Sequence, residues 1–155
     1  MSPRVGIGYD SHRFAAGRPL ILGGVSIPHE LGLGGHSDAD VLTHAVIDAV
    51  LGAAGAGDIG ALYPPSDERW RDADSIGLLR AALADLPGRV VNVDATVICE
   101  APAIGPHREA IVACLGAALN APVSIKATTN EGMGAIGRGE GIGAIAVALF
   151  APADE

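Results

Sequence analysis

Apolar residues recur along this chain with two different spacings, and the spacing separates predicted helices from predicted strands. Apolar positions three and four residues apart indicate helices, which we predict over residues 40–54, 74–86 and 106–119. Short apolar runs bounded by turn-forming residues indicate strands, which we predict over residues 4–9, 20–27, 90–99, 123–128 and 141–150. The order β-β-α-α-β-α-β-β is typical of an α+β fold, in which helices pack on one face of a mixed β-sheet.

Segments rich in turn-forming residues separate these elements without dividing the chain. Residues 28–35 predict a loop, and residues 55–72 predict a longer one that is rich in glycine, proline and aspartate. Loops of that length in a compact domain usually carry function or move. Because 155 residues without a repeat or linker suit one core, we expect a single domain over residues 1–155, with a short C-terminal tail at residues 151–155.

The last predicted strand lacks the polar alternation of a strand that faces water. It consists largely of alanine and glycine, and its branched residues are Ile142, Ile145, Val147 and Leu149. A sheet with helices on one face and a second apolar face needs a further covering surface. We therefore expect a homo-oligomer in which the sheets of neighbouring subunits pack together.

Composition and charge narrow the class of function. Hydrophobic residues make up 49% of the chain and aromatic residues only 3%, so the core must consist of alanine, valine, leucine and isoleucine. A formal net charge of −8 and the absence of a basic run argue against a nucleic-acid partner. A phosphorylated substrate is compatible with this charge, because metal ions and backbone amides offset local repulsion.

The two cysteines and the hydropathy of the chain bear on its location. Cys99 and Cys114 lack the paired spacing of a metal or disulfide motif, which is typical of a reducing compartment. No apolar run reaches the length of a membrane span, and no signal-peptide pattern precedes the first strand. We therefore expect a cytoplasmic protein without a membrane partner.

Asp10, His12 and His44 form a candidate metal site. Asp10 and His12 are two residues apart, so on an extended segment their side chains point to the same face. His44 lies in the first predicted helix. One carboxylate and two imidazoles suit Zn²⁺ and leave a fourth position open for water or substrate. The alternative is a surface aspartate with two unrelated structural histidines.

Polar residues at the start of that helix have two interpretations. Asp38 and Asp40 are either acids favoured by the helix dipole or supports that orient the metal-binding imidazoles. His36 and Ser37 precede the helix, where free backbone N–H groups favour anions.

A second candidate site lies near the end of the chain. Residues 126–132 close a strand and open a flexible turn that contains two threonines and Glu131. These groups suit a Mg²⁺–phosphate cradle with Glu131 on the metal, although an ordinary polar turn has the same composition. Arg138 and Glu140 alternate with glycines, and they suit either a phosphate contact or an ion pair inside a subunit interface.

Taken in order, the motifs of the whole chain resemble the 2-C-methyl-D-erythritol 2,4-cyclodiphosphate synthase family. In the first half they are Gly8-x-Asp10-x-His12, Gly23-Gly24-Val25-x-Ile27-Pro28, His36-Ser37-Asp38-x-Asp40 with His44, Gly57-Asp58-Ile59-Gly60 and Ala73-Asp74-Ser75. In the second half they are Asn92-Val93-Asp94, Ala101-Pro102, Pro106-His107, Lys126-Ala127-Thr128-Thr129-x-Glu131 and Gly137-Arg138-Gly139-Glu140-Gly141. No single motif is specific, but their combination is.

The resemblance implies a homotrimer with active sites between neighbouring subunits, acting in the non-mevalonate route to isoprenoid precursors. The implied substrate is 4-diphosphocytidyl-2-C-methyl-D-erythritol 2-phosphate. Its 2-phosphate attacks the β-phosphorus in line, which closes a cyclic diphosphate and releases CMP. Such an enzyme is a phosphorus–oxygen lyase.

The resemblance also implies roles for individual residues. Asp10, His12 and His44 would bind Zn²⁺, and Glu131 would hold Mg²⁺ or Mn²⁺ on the substrate diphosphate. His36 and Thr129 would stabilise the transition state as the catalytic residues. Asp38 and Asp40 would support the zinc ligands.

Substrate contacts are implied along most of the chain. Backbone atoms around Ala101-Pro102 would read the cytosine base, and Asp58, Ile59 and Gly60 would contact the erythritol hydroxyls. The remaining substrate-binding residues that the resemblance implies are Ser11, Ser37, Tyr63, Ser66, Asp67, Cys99, Glu100, Ala103, Ile104, Gly105, Thr128, Asn130, Ala135 and Arg138, and Asp10, His12, His36, Thr129 and Glu131 would contact the substrate as well.

Three positions depart from the family pattern. Pro65 stands where an aspartate often contacts the erythritol, so Ser66 or Asp67 must replace that contact. Ala103 replaces a basic residue of the cytidine segment, and Ala135-Ile136 replaces a Phe-Thr pair. Two other classes fit the same residues: a metal-dependent nucleotide-diphosphate hydrolase, and a trimeric small-molecule-binding protein with a structural metal.

Overall fold

The last strand of the chain, β7 (Gly141–Pro152), is the middle strand of a five-stranded mixed sheet. In this computed structural model, which describes residues 2–154, β7 pairs antiparallel with β1 (Arg4–Ala15) and β5 (Gly88–Ile98). β6 (Val123–Thr128) runs parallel to β5, and the short β4 (Gly32–Leu33) runs antiparallel to β1. The predicted α+β class with a mixed sheet is confirmed.

Helices cover one face of this sheet. They are α1 (Val41–Ala54), with the short α2 (Ile59–Leu62) beside it, α3 (Ser75–Ala84) and α4 (Arg108–Leu119). The short α5 (Gly134–Gly137) lies at the other face, where a Cβ atom at Gly143 would meet the side chain of Ile136. The longest helix, α1, packs against β1 and β7, and α3 and α4 pack beside each other. The core between these layers consists of aliphatic residues, as the composition predicts, with Phe150 the only buried aromatic side chain among residues 2–154.

Close backbone contact brings α1 directly onto β1. A Cβ atom at Gly8 would lie 1.9 Å from the carbonyl oxygen of Ala45, and one at Gly6 would lie 2.0 Å from that of Ala49. No side chain fits at these positions without a shift of the backbone, since real Cβ atoms essentially never lie within 3.0 Å of such heavy atoms. The two glycines therefore determine how closely a histidine of α1 can approach the side chains of β1.

The structure corrects several predicted boundaries. The predicted strand over residues 20–27 is a hairpin of β2 (Leu20–Leu22) and β3 (Val25–Ile27), because Gly23 and Gly24 adopt φ of +59° and +78° and reverse the chain. The predicted loop over residues 55–72 contains α2 and a 3₁₀ turn at Glu68–Trp70. The third predicted helix begins as a 3₁₀ turn at Gly105–His107.

The two ends of the sheet are longer than predicted. β1 continues to Ala15, so Asp10 and His12 lie within a regular strand. β7 extends through Pro152, two residues into the segment predicted as a tail. None of the helices in residues 2–154 combines the length and the apolar character that a membrane crossing requires.

The second face of the sheet is open and divided into two halves. Val5, Ile7 and Tyr9 of β1 are 60–69% exposed, and Ile145 and Val147 of β7 lie beside Tyr9 and Ile7. On the other side, Lys126 of β6 bonds Asp94 of β5 at 2.5 Å. The apolar second face predicted from the last strand therefore exists on β1 and β7, whereas β5 and β6 continue it with polar side chains. Ile142, grouped with that face in the sequence, is instead buried.

Candidate metal centre and substrate cavity

Three side chains, two from β1 and one from α1, converge where the helix packs on the strand. Asp10 Oδ2 lies 2.8 Å from Nε2 of His12 and 3.3 Å from Nδ1 of His44. One ligand atom from each residue lies within 4.8 Å of the others, and within residues 2–154 no other group of histidine, cysteine and acidic residues meets this criterion. The alternative of a surface aspartate with unrelated histidines is therefore wrong for the described structure.

The donor atoms fit a cation. Asp10 Oδ2 and His12 Nε2 are buried, and despite their proximity neither has a hydrogen bond of acceptable geometry. Nδ1 of His12 lies 2.8 Å from the carbonyl oxygen of Gly34. Because a carbonyl only accepts hydrogen bonds, Nδ1 must carry a proton, so Nε2 is the ring nitrogen available to a cation beside Asp10.

Titration of the cluster follows from its burial and its charges. Burial alone would raise the pKa of Asp10, but the neighbouring imidazoles of His12 and His44 hold that pKa down at about 2. Burial lowers the pKa of His12, but the Asp10 carboxylate outweighs it and the net shift is upward. The carboxylate is therefore ionised at neutral pH and ready to bind a cation, which would displace the imidazole proton.

A cavity of about 220 Å³ opens beside these ligands. It is lined by Asp10, His12, His36, Ser37, His44, Ile59, Gly60, Tyr63, Pro65 and Leu78. The three predicted zinc ligands therefore share one cavity with His36 and Ser37 of the predicted phosphate contacts and with Ile59 and Gly60 of the predicted erythritol segment, whereas Asp58 does not line it. Pro65 lines the cavity at the position where the family often has an aspartate. Of the two residues predicted to replace that aspartate's contact, Ser66 is exposed and Asp67 accepts hydrogen bonds from Arg69.

The segment before α1 is held from several sides. Arg18 donates to the carbonyl oxygens of Gly35 and Ser37, and Nε2 of His36 lies 3.2 Å from the carbonyl oxygen of Asp67. Ser37 Oγ lies 3.1 Å from Nε2 of His44. This network orients His36 and Ser37 at the cavity wall.

Asp38 and Asp40 differ in what they support. Asp38 accepts hydrogen bonds from the backbone N–H and the hydroxyl of Ser75, and Ser75 contacts His44. Asp40 is fully buried and accepts from the N–H groups of Gly23, Gly24 and Thr43 and from the Thr43 hydroxyl. None of these four donors belongs to an imidazole. These contacts favour the alternative of a helix-start acid for Asp40: it caps α1 and anchors the β2–β3 turn.

Asp48 is a site residue that sequence reasoning missed. It lies one turn after His44 on α1, and its Oδ1 accepts the backbone N–H of Ile59 at 2.8 Å. The neighbouring Asp58 caps α2 by accepting from the N–H of Ala61. Asp48 therefore attaches the predicted erythritol-binding segment to the helix that carries His44. Its spacing of four residues from His44 was the available signal.

The second predicted site forms a separate unit at the ends of β5 and β6. The Cys99 N–H donates to the Thr128 carbonyl, and Glu100 Oε1 accepts the N–H groups of Asn130 and Gly132. The predicted cytosine segment at residues 99–105 thus contacts the turn at residues 128–131. Neither segment lines the 220 Å³ cavity of the metal cluster.

A larger cavity of about 500 Å³ contains other predicted residues. Ser11, Asn130 and Ala135 line it together with Tyr9, Ile136 and Glu140. Arg138 donates to Glu140 Oε2 at 2.7 Å. The Arg–Glu pair therefore exists within one chain, and the smaller Ala135 leaves Ile136 as the apolar wall.

The fold and the site define a class of α+β protein with a carboxylate–bis-imidazole metal site between a sheet and its longest helix. Residues 3–151 match the YgbB family. Close relatives of the chain are named 2-C-methyl-D-erythritol 2,4-cyclodiphosphate synthase. The chain therefore belongs to this synthase family.

Individual relatives match over nearly the full chain. A protein named 2-C-methyl-D-erythritol 2,4-cyclodiphosphate synthase from Bordetella petrii is 58% identical, with 97% of this chain and 96% of the relative covered. A solved structure of such a synthase in a CDP-bound form is 37% identical with a TM-score of 0.85, covering 96% of this chain and 100% of that one. The bifunctional IspDF from Campylobacter jejuni is 37% identical with a TM-score of 0.93; the match covers 99% of this chain and 43% of that protein.

Proposed function

We propose that the protein converts 4-diphosphocytidyl-2-C-methyl-D-erythritol 2-phosphate to 2-C-methyl-D-erythritol 2,4-cyclodiphosphate and CMP, in isoprenoid precursor biosynthesis. A bond forms between a 2-phosphate oxygen and the β-phosphorus, and the bond from that phosphorus to the bridging oxygen breaks, so CMP leaves with the oxygen. The observation that carries this proposal is the convergence of Asp10, His12 and His44 on the cavity that contains His36 and Ser37. Relatives over the full chain support it.

The chain's own residues mainly position the substrate and offset the negative charge of its phosphates. The nucleophile is already an oxyanion, so no strong general base is required, and the main barrier is the approach of two anionic phosphates. Zn²⁺ on Asp10, His12 and His44 would polarise a phosphate oxygen, and Mg²⁺ or Mn²⁺ on Glu131 would offset further charge. The attack is intramolecular because both phosphates belong to one substrate molecule, and holding them in one cavity orients it.

Ser37 suits a hydrogen bond to a phosphate. Its Oγ accepts a hydrogen bond from the backbone N–H of Ala39, with an N–O distance of 3.3 Å, and lies 3.1 Å from His44 Nε2. The hydroxyl hydrogen is then free to point into the cavity. His36 lies beside it, and we assign His36 and Thr129 to stabilisation of the transition state.

We further propose a homotrimer with the active site between subunits. Exposed apolar side chains of β1 and β7 form a surface that a neighbouring sheet would cover. The turn that contains Thr129 and Glu131 is exposed and does not line the cavity of the metal cluster in its own chain. A turn from a neighbouring subunit would bring its Thr129 and Glu131 to the metal cluster of this chain and so complete the active site.

The cytidine moiety is assigned to residues 99–105. Glu100, Ala101, Ala103 and Gly105 of this segment are exposed, which suits recognition of a base edge, and the CDP-bound relative supports a cytidine nucleotide. The reaction class is a phosphorus–oxygen lyase. Both cysteines are unpaired, which supports the proposed cytoplasmic location.

A single assay separates this reaction from hydrolysis. Purified protein with the diphosphocytidyl substrate, Zn²⁺ and Mg²⁺ should release CMP, and phosphorus NMR should show a cyclic diphosphate. In ¹⁸O-labelled water the cyclic product should carry no label. Linear phosphate products that carry ¹⁸O would replace the proposal with a metal-dependent hydrolase, and an absence of any turnover would favour a binding protein.

A further inference from the structure

His44 contacts a buried serine on its side away from the metal cluster. Ser75, the first residue of α3, has no solvent exposure, and its Oγ lies 2.9 Å from Nε2 of His44. Nδ1 of the same ring faces Asp10 at 3.3 Å. The two nitrogens of His44 therefore have different surroundings, and only Nδ1 points into the metal cluster.

The polarity of these hydrogen bonds follows from the groups involved. The carboxylate of Asp38 accepts both the backbone N–H of Ser75, at 2.9 Å, and its hydroxyl. An ionised carboxylate has no hydrogen to donate, so the hydroxyl hydrogen of Ser75 must point to Asp38. Ser75 Oγ is then an acceptor toward His44, which requires the proton on Nε2 and leaves the Nδ1 lone pair free.

We propose that Asp38 and Ser75 act as positioning residues, which select the tautomer and ring orientation of His44 that presents Nδ1 to a metal ion. This inference rests on the proposed metal site. Partners of this kind contribute about 10- to 100-fold to metal affinity in other proteins.

The fold keeps this relay in place. The Asp38 N–H donates to the Ala73 carbonyl at 3.1 Å, and the Asp40 N–H donates to Asp38 Oδ1 at 3.1 Å. The chain before α1 is thereby attached to the start of α3. His12 uses the opposite arrangement, because its Nδ1 bonds Gly34 and its Nε2 faces the cluster.

Ser75 and Ser37 both lie near Nε2 of His44, but they have different roles. Ser37 Oγ is also within reach of Nε2, at 3.1 Å, but Ser37 lines the cavity. Ser75 is buried and bonded to Asp38, so it can hold the Nε2 proton while Ser37 turns toward a substrate. The proposal therefore assigns the permanent contact to Ser75.

The first test uses the zinc-loaded wild-type protein without substrate. Nitrogen-15 NMR of its histidines should show His44 bound to the metal through Nδ1 and protonated at Nε2. Metal binding through Nε2, or the absence of zinc binding at stoichiometric concentrations, would overturn the proposal. This measurement does not depend on the folding of any variant.

The second test compares variants by chelator competition for zinc. Ser75→Ala should weaken zinc binding by about 10- to 100-fold, and Ser75→Thr, which keeps the hydroxyl, should recover most of the affinity. Ser124→Ala is the matched control, because it removes a serine hydroxyl that donates to an aspartate, Asp94, outside the metal site. Wild-type affinity in Ser75→Ala, or an equal loss in the control, would overturn the proposal. Loss of CMP release in a wild-type protein that binds zinc as described would instead count only against the proposed reaction.

Discussion

The metal cluster contains the predicted zinc ligands, and the Thr128–Glu131 turn contains the predicted catalytic Thr129 and the second metal ligand, Glu131. The two regions differ in how many of their contacts come from the same chain. Asp10, His12 and His44 lie on a strand and a helix whose backbones touch, and each has partners within the chain. The turn is exposed, and its Glu131 adopts a φ of +54°. A site on regular elements is preorganised by the core, whereas a site on an exposed turn requires a further surface to complete it.

The sharpest test of that difference is mixing of two inactive variants. His44→Ala and Thr129→Ala should each lower the rate of CMP release by more than about 100-fold, since loss of a mere supporting partner already costs up to that factor in metal sites. If the two regions belong to one site shared between subunits, trimers mixed by unfolding and refolding should regain activity. His44→Ala should also lose zinc, and Thr129→Ala should retain it.

Mixed protein that stays inactive, although mass spectrometry shows mixed trimers, would contradict a shared site. His44→Ala mixed with itself is the control for refolding.

Assembly should depend on the open face of the sheet. Ile7→Glu places a charge among exposed apolar side chains that a neighbouring subunit would bury, so sedimentation should show a shift from trimer to monomer. Zinc binding should persist, because the metal cluster lies within one chain. Leu62→Glu is the matched control, since Leu62 is also an exposed apolar residue but lies outside the sheet. An unchanged trimer in Ile7→Glu would place the interface elsewhere.

The close packing of α1 on β1 predicts a stability effect. Gly8→Ala forces a Cβ atom against the Ala45 carbonyl, so the free energy of unfolding should fall by about 1–3 kcal/mol. Zinc affinity should fall with it, because α1 carries His44. Urea denaturation and chelator competition measure the two effects.

Gly52→Ala is the control for that substitution. Gly52 lies on the same helix, and a Cβ atom there would lie 3.9 Å from its nearest neighbour, the carbonyl oxygen of Ile7. This variant should be neutral or stabilised by up to about 1 kcal/mol. Equal destabilisation of both variants would mean that close contact at Gly8 is not the cause.

The smallest expected effect concerns Asp48. Asp48→Ala removes the acceptor for the Ile59 N–H, and a hydrogen bond of this kind contributes about 0.5–1.5 kcal/mol. We expect KM for the substrate to rise by up to about 10-fold with little change in zinc affinity. Asp48→Asn retains an acceptor oxygen and should restore most of KM. A change in kcat alone would contradict a role in holding the substrate segment.

Much of the fold and the family could be predicted from residue patterns. The helices at α1, α3 and α4 follow from apolar spacing that extends over segments of 10 to 14 residues. The full-length order of motifs predicted the family to which the chain belongs. Short elements such as β4, α2 and α5 were missed, because two to four residues carry no period.

Sequence patterns could name the ligands but not their arrangement. That Asp10 and His12 share one face of β1 followed from their spacing alone, because the alternation of side chains along a strand is local. Their meeting with His44 depends on Gly6 and Gly8, which allow α1 to approach β1, and such long-range contact has no local signature.

Only the tertiary structure distinguished Asp38 from Asp40 and revealed Ser75 and Asp48. The sequence by itself determined the elements, the family and the candidate ligands, since these depend on local spacing and residue type. The tertiary structure decided which nitrogen of each histidine faces the metal cluster, because hydrogen bonds between residues 22 to 37 positions apart form only when the chain is folded.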